Sequence, residues 1–230
     1  MPKLEKISFA FPEQELFRDF TMEIPEGSIS CILGPSGCGK STLLNLISNI
    51  LHPQSGEITG FAESSFSYIF QETRILPWRT VYQNIAFPLL DKMDKYSARE
   101  KAERFTKLVD LSEWRNQYPS RLSGGMKQRI AIARAFAFPS QTILMDEAFQ
   151  GLDMGLKHKV FEVFLRSWQE EPRTVVFVTH DLDEALYLGN HIQVLSHAPI
   201  TESKGFELDG KPGLNRLTDS GLRKEILGLL

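Results

Sequence analysis

The stretch GPSGCGKST, residues 34–42, sets Gly34, Gly39, Lys40 and Ser41 at the spacing of a loop that cradles phosphates. Glycines let backbone N–H groups converge on phosphate oxygens, a lysine reaches the β and γ phosphates, and a hydroxyl such as that of Ser41 is a ligand for Mg²⁺. Pro35, Ser36, Gly37 and Cys38 fill the loop, and Thr42 carries it into the following segment. Cys38 reads in two ways, as a thiol activated at a helix N-terminus or as a small residue that fits there. Farther on, TILMDEAFQGLD closes an apolar run with Asp146 and Glu147. Adjacent carboxylates at a strand end can divide labour, Asp146 holding Mg²⁺ through its shell while Glu147 polarises an attacking water. A third stretch, SRLSGGMKQRIAIARAF at 120–136, opens a long amphipathic run with Ser123, Gly124 and Gly125. That is again the composition of an anion-holding helix N-terminus, although one nucleotide has little need of two.

These groups require a particular set of elements to present them. Residues 4–33 alternate as β structure and end in the buried run SISCIL, so the phosphate loop follows a strand and opens a helix over about 40–50. Strand patterns return at GEITGF and SFSYIF. From about 72 to 137 the periodicity is helical, with Ala98, Ala102, Phe105, Leu108 and Val109 on one face. Two short apolar strands, TILMDE and TVVFVTH, flank the helical GLKHKVFEVFLRSWQE, and DSGLRKEILGLL closes as an amphipathic helix. Alternation of strand and helix argues for an α/β fold with a mainly parallel core sheet. The reading is one domain over 1–230, with an antiparallel β portion and a helical lobe over about 72–137 inserted in the core.

Composition narrows the function classes. With 26 Lys+Arg against 29 Asp+Glu, the net charge of −3 argues against a nucleic-acid partner. Cys31 and Cys38 lie too close and too differently placed to suggest a disulfide or a metal site, which fits a reducing compartment. The start MPKLEKISFAF lacks the plan of a signal peptide, and no window approaches the roughly 18 apolar residues of a membrane helix. Any membrane role is therefore expected to need a spanning partner.

Taken together, the motifs resemble those of the nucleotide-binding subunit of an ATP-binding cassette (ABC) transporter. GPSGCGKST resembles its Walker A motif, TILMDE its Walker B motif and LSGGMKQ its signature. Gln71 in YIFQE is similar to the Q-loop glutamine, GLD ending in Asp153 to the D-loop, and His180 in VTHD to the switch histidine. Phe11 matches the aromatic position that stacks on adenine, where tyrosine is more usual. The resemblance implies a P-loop NTPase of the ABC cassette type that binds and hydrolyses ATP with Mg²⁺. It implies Gln71, with Ser41 and Asp146, at the metal, and His180 near the γ-phosphate. It further implies a head-to-tail homodimer in which Ser123, Gly124 and Gly125 of one copy meet the γ-phosphate held by the other.

The segment QETRILPWRTVYQNIAFPL, which faces the membrane subunits in this family, resembles importers of the nitrate, sulfonate and taurine type and of pyrimidine-like vitamin precursors. Pro77 and Trp78 either shape a groove for a permease helix or serve as a helix breaker and a core tryptophan. Expected partners are integral permease subunits and a substrate-binding protein, with the chain peripheral at the cytoplasmic face of the membrane. The alternatives are an exporter subunit and a cassette ATPase outside transport. FQGLD departs from the family's usual Ser-Ala-Leu-Asp, and GFAESSFSYIF is shorter than the turn usual before the Q-loop.

Overall fold

The computed structural model describes residues 1–61 and 66–230. Its strands are β1 (Lys3–Phe11), β2 (Gln14–Glu23), β3 (Ile29–Leu33), β4 (Ser55–Thr59), β5 (Phe66–Ile69), β6 (Thr142–Asp146), β7 (Thr174–Thr179), β8 (His191–Leu195) and β9 (Ser203–Glu207). Its α-helices are α1 (Lys40–Ile47), α2 (Val81–Ala86), α3 (Lys95–Leu108), α4 (Gly124–Ala137), α5 (Met154–Glu170), α6 (Leu182–Leu188) and α7 (Ser220–Leu227). The chain forms two compact units, one of Met1–Phe66 with Arg173–Leu230 and one of Ser67–Pro172. Of the predicted strand SFSYIF, its first residue, Ser65, lies outside the described residues.

In the first unit, β2, β1 and β4 make an antiparallel sheet in that order. Leu4, Ile7, Phe9, Phe17, Phe20 and Met22 are buried there, in the interrupted alternation of strands with one covered face. A second set runs β7, β3, β8, β9, with β3 parallel to both neighbours and β9 antiparallel to β8. Every residue of β3 and β7 is buried. A parallel strand covered on both faces demands this, and α1 packs on β7 while α6 packs on both β3 and β7.

The second unit centres on α4, which packs against α2, α3 and α5, and it also holds β6 beside β5. Its helices begin on side-chain caps. Thr80 and Gln83 form a reciprocal capping box at α2, Asp94 accepts from Tyr96 N and Ser97 N at α3, and Ser123 and Asp153 cap α4 and α5. The mixed α/β architecture agrees with the sequence expectation, but three local expectations change. Helix α1 ends at Ile47 rather than near 50, because Asn49 turns to φ +61° and the N–H groups of Ile50 and Leu51 both return to Asn45 O. Residues 72–80 are irregular instead of helical. On α3 the covered face includes Thr106, whose hydroxyl donates to Ala102 O at 2.7 Å, whereas Leu108 is only half-buried.

Candidate active site

In the first unit, the phosphate loop leaves the C-terminal end of β3. Lys40 is 5% exposed, and its ammonium is fixed by Gly34 O at 2.8 Å and Pro35 O at 2.9 Å. Gly37 and Gly39 take φ +78° and +114°, in the left-handed region that a residue with a Cβ rarely adopts. Gly39 is also the N-cap of α1 and brings no side chain to it, and the first turn of a helix points its amide donors and its dipole toward an anion. Ser36, Gly37 and Ser41 are exposed, Thr42 half-buried. Donors, dipole and a lysine therefore fit the phosphates of a nucleotide.

Burial pushes the Cys38 thiol pKa up, with the Lys40 charge pulling weakly the other way. Cys38 is therefore the small residue that fits, in contact range of Gly34, and not an activated thiolate. His180 emerges at the same sheet edge as the loop, because Leu33 of β3 pairs with Thr179 of the adjacent parallel β7. It is exposed, and the turn that carries it is built by Thr179, whose hydroxyl donates to Glu184 Oε2 at 2.6 Å and accepts from Asp181 N at 3.0 Å. Phe11, 44% exposed at the end of β1, stands edge-on to Phe9 with ring centroids 5.0 Å apart. Its open position suits stacking on a flat ring.

In the second unit, Asp146 ends β6 and Glu147 follows, both half-buried. Glu147 adopts φ +43°, a conformation that side-chain-bearing residues hold only under constraint from their surroundings. Burial, and then the charge of Asp146, push the Tyr68 pKa up. Tyr68 stacks on Phe70 at 4.1 Å, and the guanidinium of Arg74 lies 3.9 Å from the Phe70 centroid. Gln71 is exposed and donates its amide N–H to Gln150 Oε1. The structure thus brings Gln71 to the stretch that follows Glu147.

Ser123 accepts from Met126 N at 3.3 Å and leaves Gly124 exposed, while Gly125 is buried against Leu156. A Cβ on Gly125 would lie 2.5 Å from Leu156 Cδ1, so α4 and α5 meet where only hydrogen fits. Asp153 spends its carboxylate on the cap of α5, accepting from Leu156 N at 3.0 Å. The start of α4 and the turn before α5 therefore belong together, with Leu152 3.9 Å from a Cβ on Gly124. Trp78 is 69% exposed, which removes the reading of it as a core residue.

Four polar residues that support the site went unnoticed in the sequence. Asn84 is 1% exposed and holds Leu76 N at 2.7 Å, together with the carbonyls of Leu76, Arg79 and Thr80. Its signal was available, an amide within the apolar face of Val81 and Ile85. Arg134 sits likewise in the apolar run IAIARAF, and Glu184, 2% exposed, in LDEALYL. Gln150 lies in the FQGLD departure.

Comparison with known proteins adds to this geometry. The family described as ABC transporter matches residues 17–150. The aliphatic sulfonates import ATP-binding protein SsuB of Bacillus cereus (strain ZK / E33L) is 38% identical over 206 residues, 85% of this chain and 81% of its own. An uncharacterized ABC transporter ATP-binding protein, MJ0412 of Methanocaldococcus jannaschii, is 36% identical over 221 residues, 92% of this chain and 83% of its own. Among solved structures, the dimeric post-hydrolysis state of the ATP-binding cassette MJ0796 bound to ADP and Pi superposes with a TM-score of 0.74. It is 29% identical and covers 92% of this chain and all of its own.

Proposed function

Because this chain belongs to the ABC transporter family as an ATP-binding subunit, we propose that it drives solute import through a separate membrane permease, working as a head-to-tail dimer that hydrolyses ATP. One observation carries the dimer reading. The chain has a complete phosphate loop and also a second helix start, Ser123 and Gly124 on α4, whose backbone is exposed and suited to an anion. In this reading a second copy presents an anion to that start, in the form of its own bound ATP.

In this reading Gly34–Thr42 grip the phosphates and Phe11 stacks on adenine. Glu147 orients and polarises the attacking water, and His180 steadies the γ-phosphate. Asp153, whose carboxylate caps α5, is counted with the nucleotide-binding residues. The donors Ser41, Gln71 and Asp146 are a hydroxyl, an amide and a carboxylate, an all-oxygen set that suits a hard cation such as Mg²⁺. When bound, Mg²⁺ neutralises charge on the phosphate oxygens. Closure of the dimer around ATP and its release after hydrolysis make the nucleotide a bias between two states.

The importer reading, and a solute class of sulfonate-like oxyanions or pyrimidine precursors, draws on the names of relatives such as SsuB and on the QETRILPWRT segment. A substrate-binding protein would deliver the solute. Among the described residues no helix is long and apolar enough to cross a membrane. Attachment at the cytoplasmic face then falls to the permease, for which exposed Trp78, Phe87 and Leu90 offer apolar contact.

Glu147→Gln tests the chemistry. It is expected to keep ATP binding, to slow phosphate release roughly 10²- to 10⁴-fold, and to accumulate an ATP-bound dimer in light scattering. Hydrolysis at the wild-type rate would overturn the role given to Glu147.

A further inference from the structure

Residues 70–80, which include Gln71, run between β5 and α2 without helix or strand. Arg74 within this run takes φ +41°, a conformation that needs support from outside the turn. The support comes from the last turn of α4, where Arg134 is half-buried. Its Nη1 donates to Arg74 O and its Nη2 to Thr73 O, both at 3.0 Å. Burial lowers the Arg134 pKa, yet an arginine keeps its charge at neutral pH, so both bonds are charge-assisted. The planar fork suits two neighbouring carbonyls, which a lysine could serve only one at a time. Asn84 fastens the far end of the run through both the N–H and the C=O of Leu76.

Helix α4 begins at Gly124, about 15 Å from Arg134 at the usual rise per residue. The same helix therefore carries the Ser123 start at one end and holds the segment that carries Gln71 at the other.

We infer that Arg134 is a positioning residue: by clamping the Thr73–Arg74 turn to the end of α4 it sets where the Gln71 side chain is presented during ATP hydrolysis. The inference rests on the proposed role of Gln71 at Mg²⁺ and water, and the test separates the two.

Arg134→Met keeps the length of the side chain and its apolar packing while removing both donors. In the full-length chain it is expected to speed hydrogen exchange in peptides covering 70–79 and to leave those of β3 and the middle of α4 unchanged. The ATPase kcat should fall about 10- to 100-fold at constant KM for ATP, with half-saturating Mg²⁺ raised. Arg134→Lys, able to remake one bond, should lie between Met and wild type in both exchange and rate. Unchanged exchange over 70–79, exchange raised equally throughout the chain, or a Lys variant no better than Met would each overturn the inference. If Arg134→Met does not fold, the exchange and Mg²⁺ dependence of Arg134→Lys decide the same question. Gln71→Ala is measured alongside. A Gln71→Ala enzyme as fast as wild type defeats the role of Gln71 while leaving the clamp to the exchange data, and a slow Gln71→Ala beside a fast Arg134→Met defeats the clamp alone.

Discussion

At residue 147 the backbone stands at φ +43°, directly after a strand whose preceding residues are buried. Such a conformation costs on the order of 1–3 kcal/mol and persists where the surroundings impose it. Here Gln150 N closes the turn on Glu147 O at 3.0 Å, and the same Gln150 engages Gln71 through its side chain. The acid is thus held by its backbone while its neighbour orients another polar group. Cys38 illustrates the opposite case, a group whose chemistry is suppressed. A helix N-terminus lowers a thiol pKa, but burial at this site outweighs that influence and holds it above the ordinary value. The neutral form, which is the unreactive one, therefore prevails at pH 7. Iodoacetamide should label Cys38 slowly at pH 7.5, with the rate climbing with pH well past the usual thiol range of about 8.5. Rapid stoichiometric labelling at pH 7 would contradict this. Cys31 is fully buried with its pKa also raised, so it should be silent in the folded protein.

Among the elements, α2 shows how a short helix can organise a loop longer than itself. It has only the residues Val81–Ala86, too few for stability on its own, and a reciprocal Thr80–Gln83 cap defines its start. From within it Asn84 gathers four backbone groups of residues 76–80. Asn84→Ala would leave Leu76 N–H and several carbonyls without this partner in a buried place. The expected loss is about 2 kcal/mol or more, read as a lower midpoint in denaturant or a melting temperature lower by about 4–8 °C. A change within about 0.5 kcal/mol, ordinary for a surface position, would show that water replaces the amide at no cost. Periodicity located α3, α4, α5 and α7 because each has an apolar stripe long enough to repeat. It failed over 72–80, where order comes from Asn84 and Arg134 reaching in from helices, a cause that hydrophobic pattern does not record.

For the whole molecule, the proposed dimer makes a prediction that no single-chain mechanism shares. Lys40→Ala removes the phosphate lysine, and Ser123→Arg places bulk and charge at the helix start offered to the other copy. Each variant alone should hydrolyse ATP poorly, and isolated Ser123→Arg should still bind ATP. Mixed together, the two form heterodimers in which one site carries both lesions and the other carries none, so hydrolysis should partly return. No recovery on mixing, or loss of ATP binding by Ser123→Arg alone, would refute a site shared across copies. Ligand binding should register in stability as well. ATP with Mg²⁺ at about 100 times Kd is expected to stabilise the chain by about 2.7 kcal/mol, and Lys40→Ala should abolish most of the shift in melting temperature.

The amino-acid sequence by itself determined the chemistry on offer. Spacing alone put forward Gly34, Gly39, Lys40 and Ser41, since a phosphate loop works through consecutive backbone amides whose geometry is local. The order of motifs indicated the family, and the unbroken apolar runs of β3 and β7 announced a parallel sheet, because strands covered on both faces have no solvent side to mark. Tertiary structure alone decided what holds the groups of those motifs in place. His180 joins the phosphate loop through the pairing of Leu33 with Thr179, Gln71 meets Gln150 across 79 positions of chain, and Arg134 reaches Thr73 and Arg74 across about 60. Hydrogen bonds between residues so far apart depend on how the elements pack, and a one-dimensional pattern carries no term for that distance.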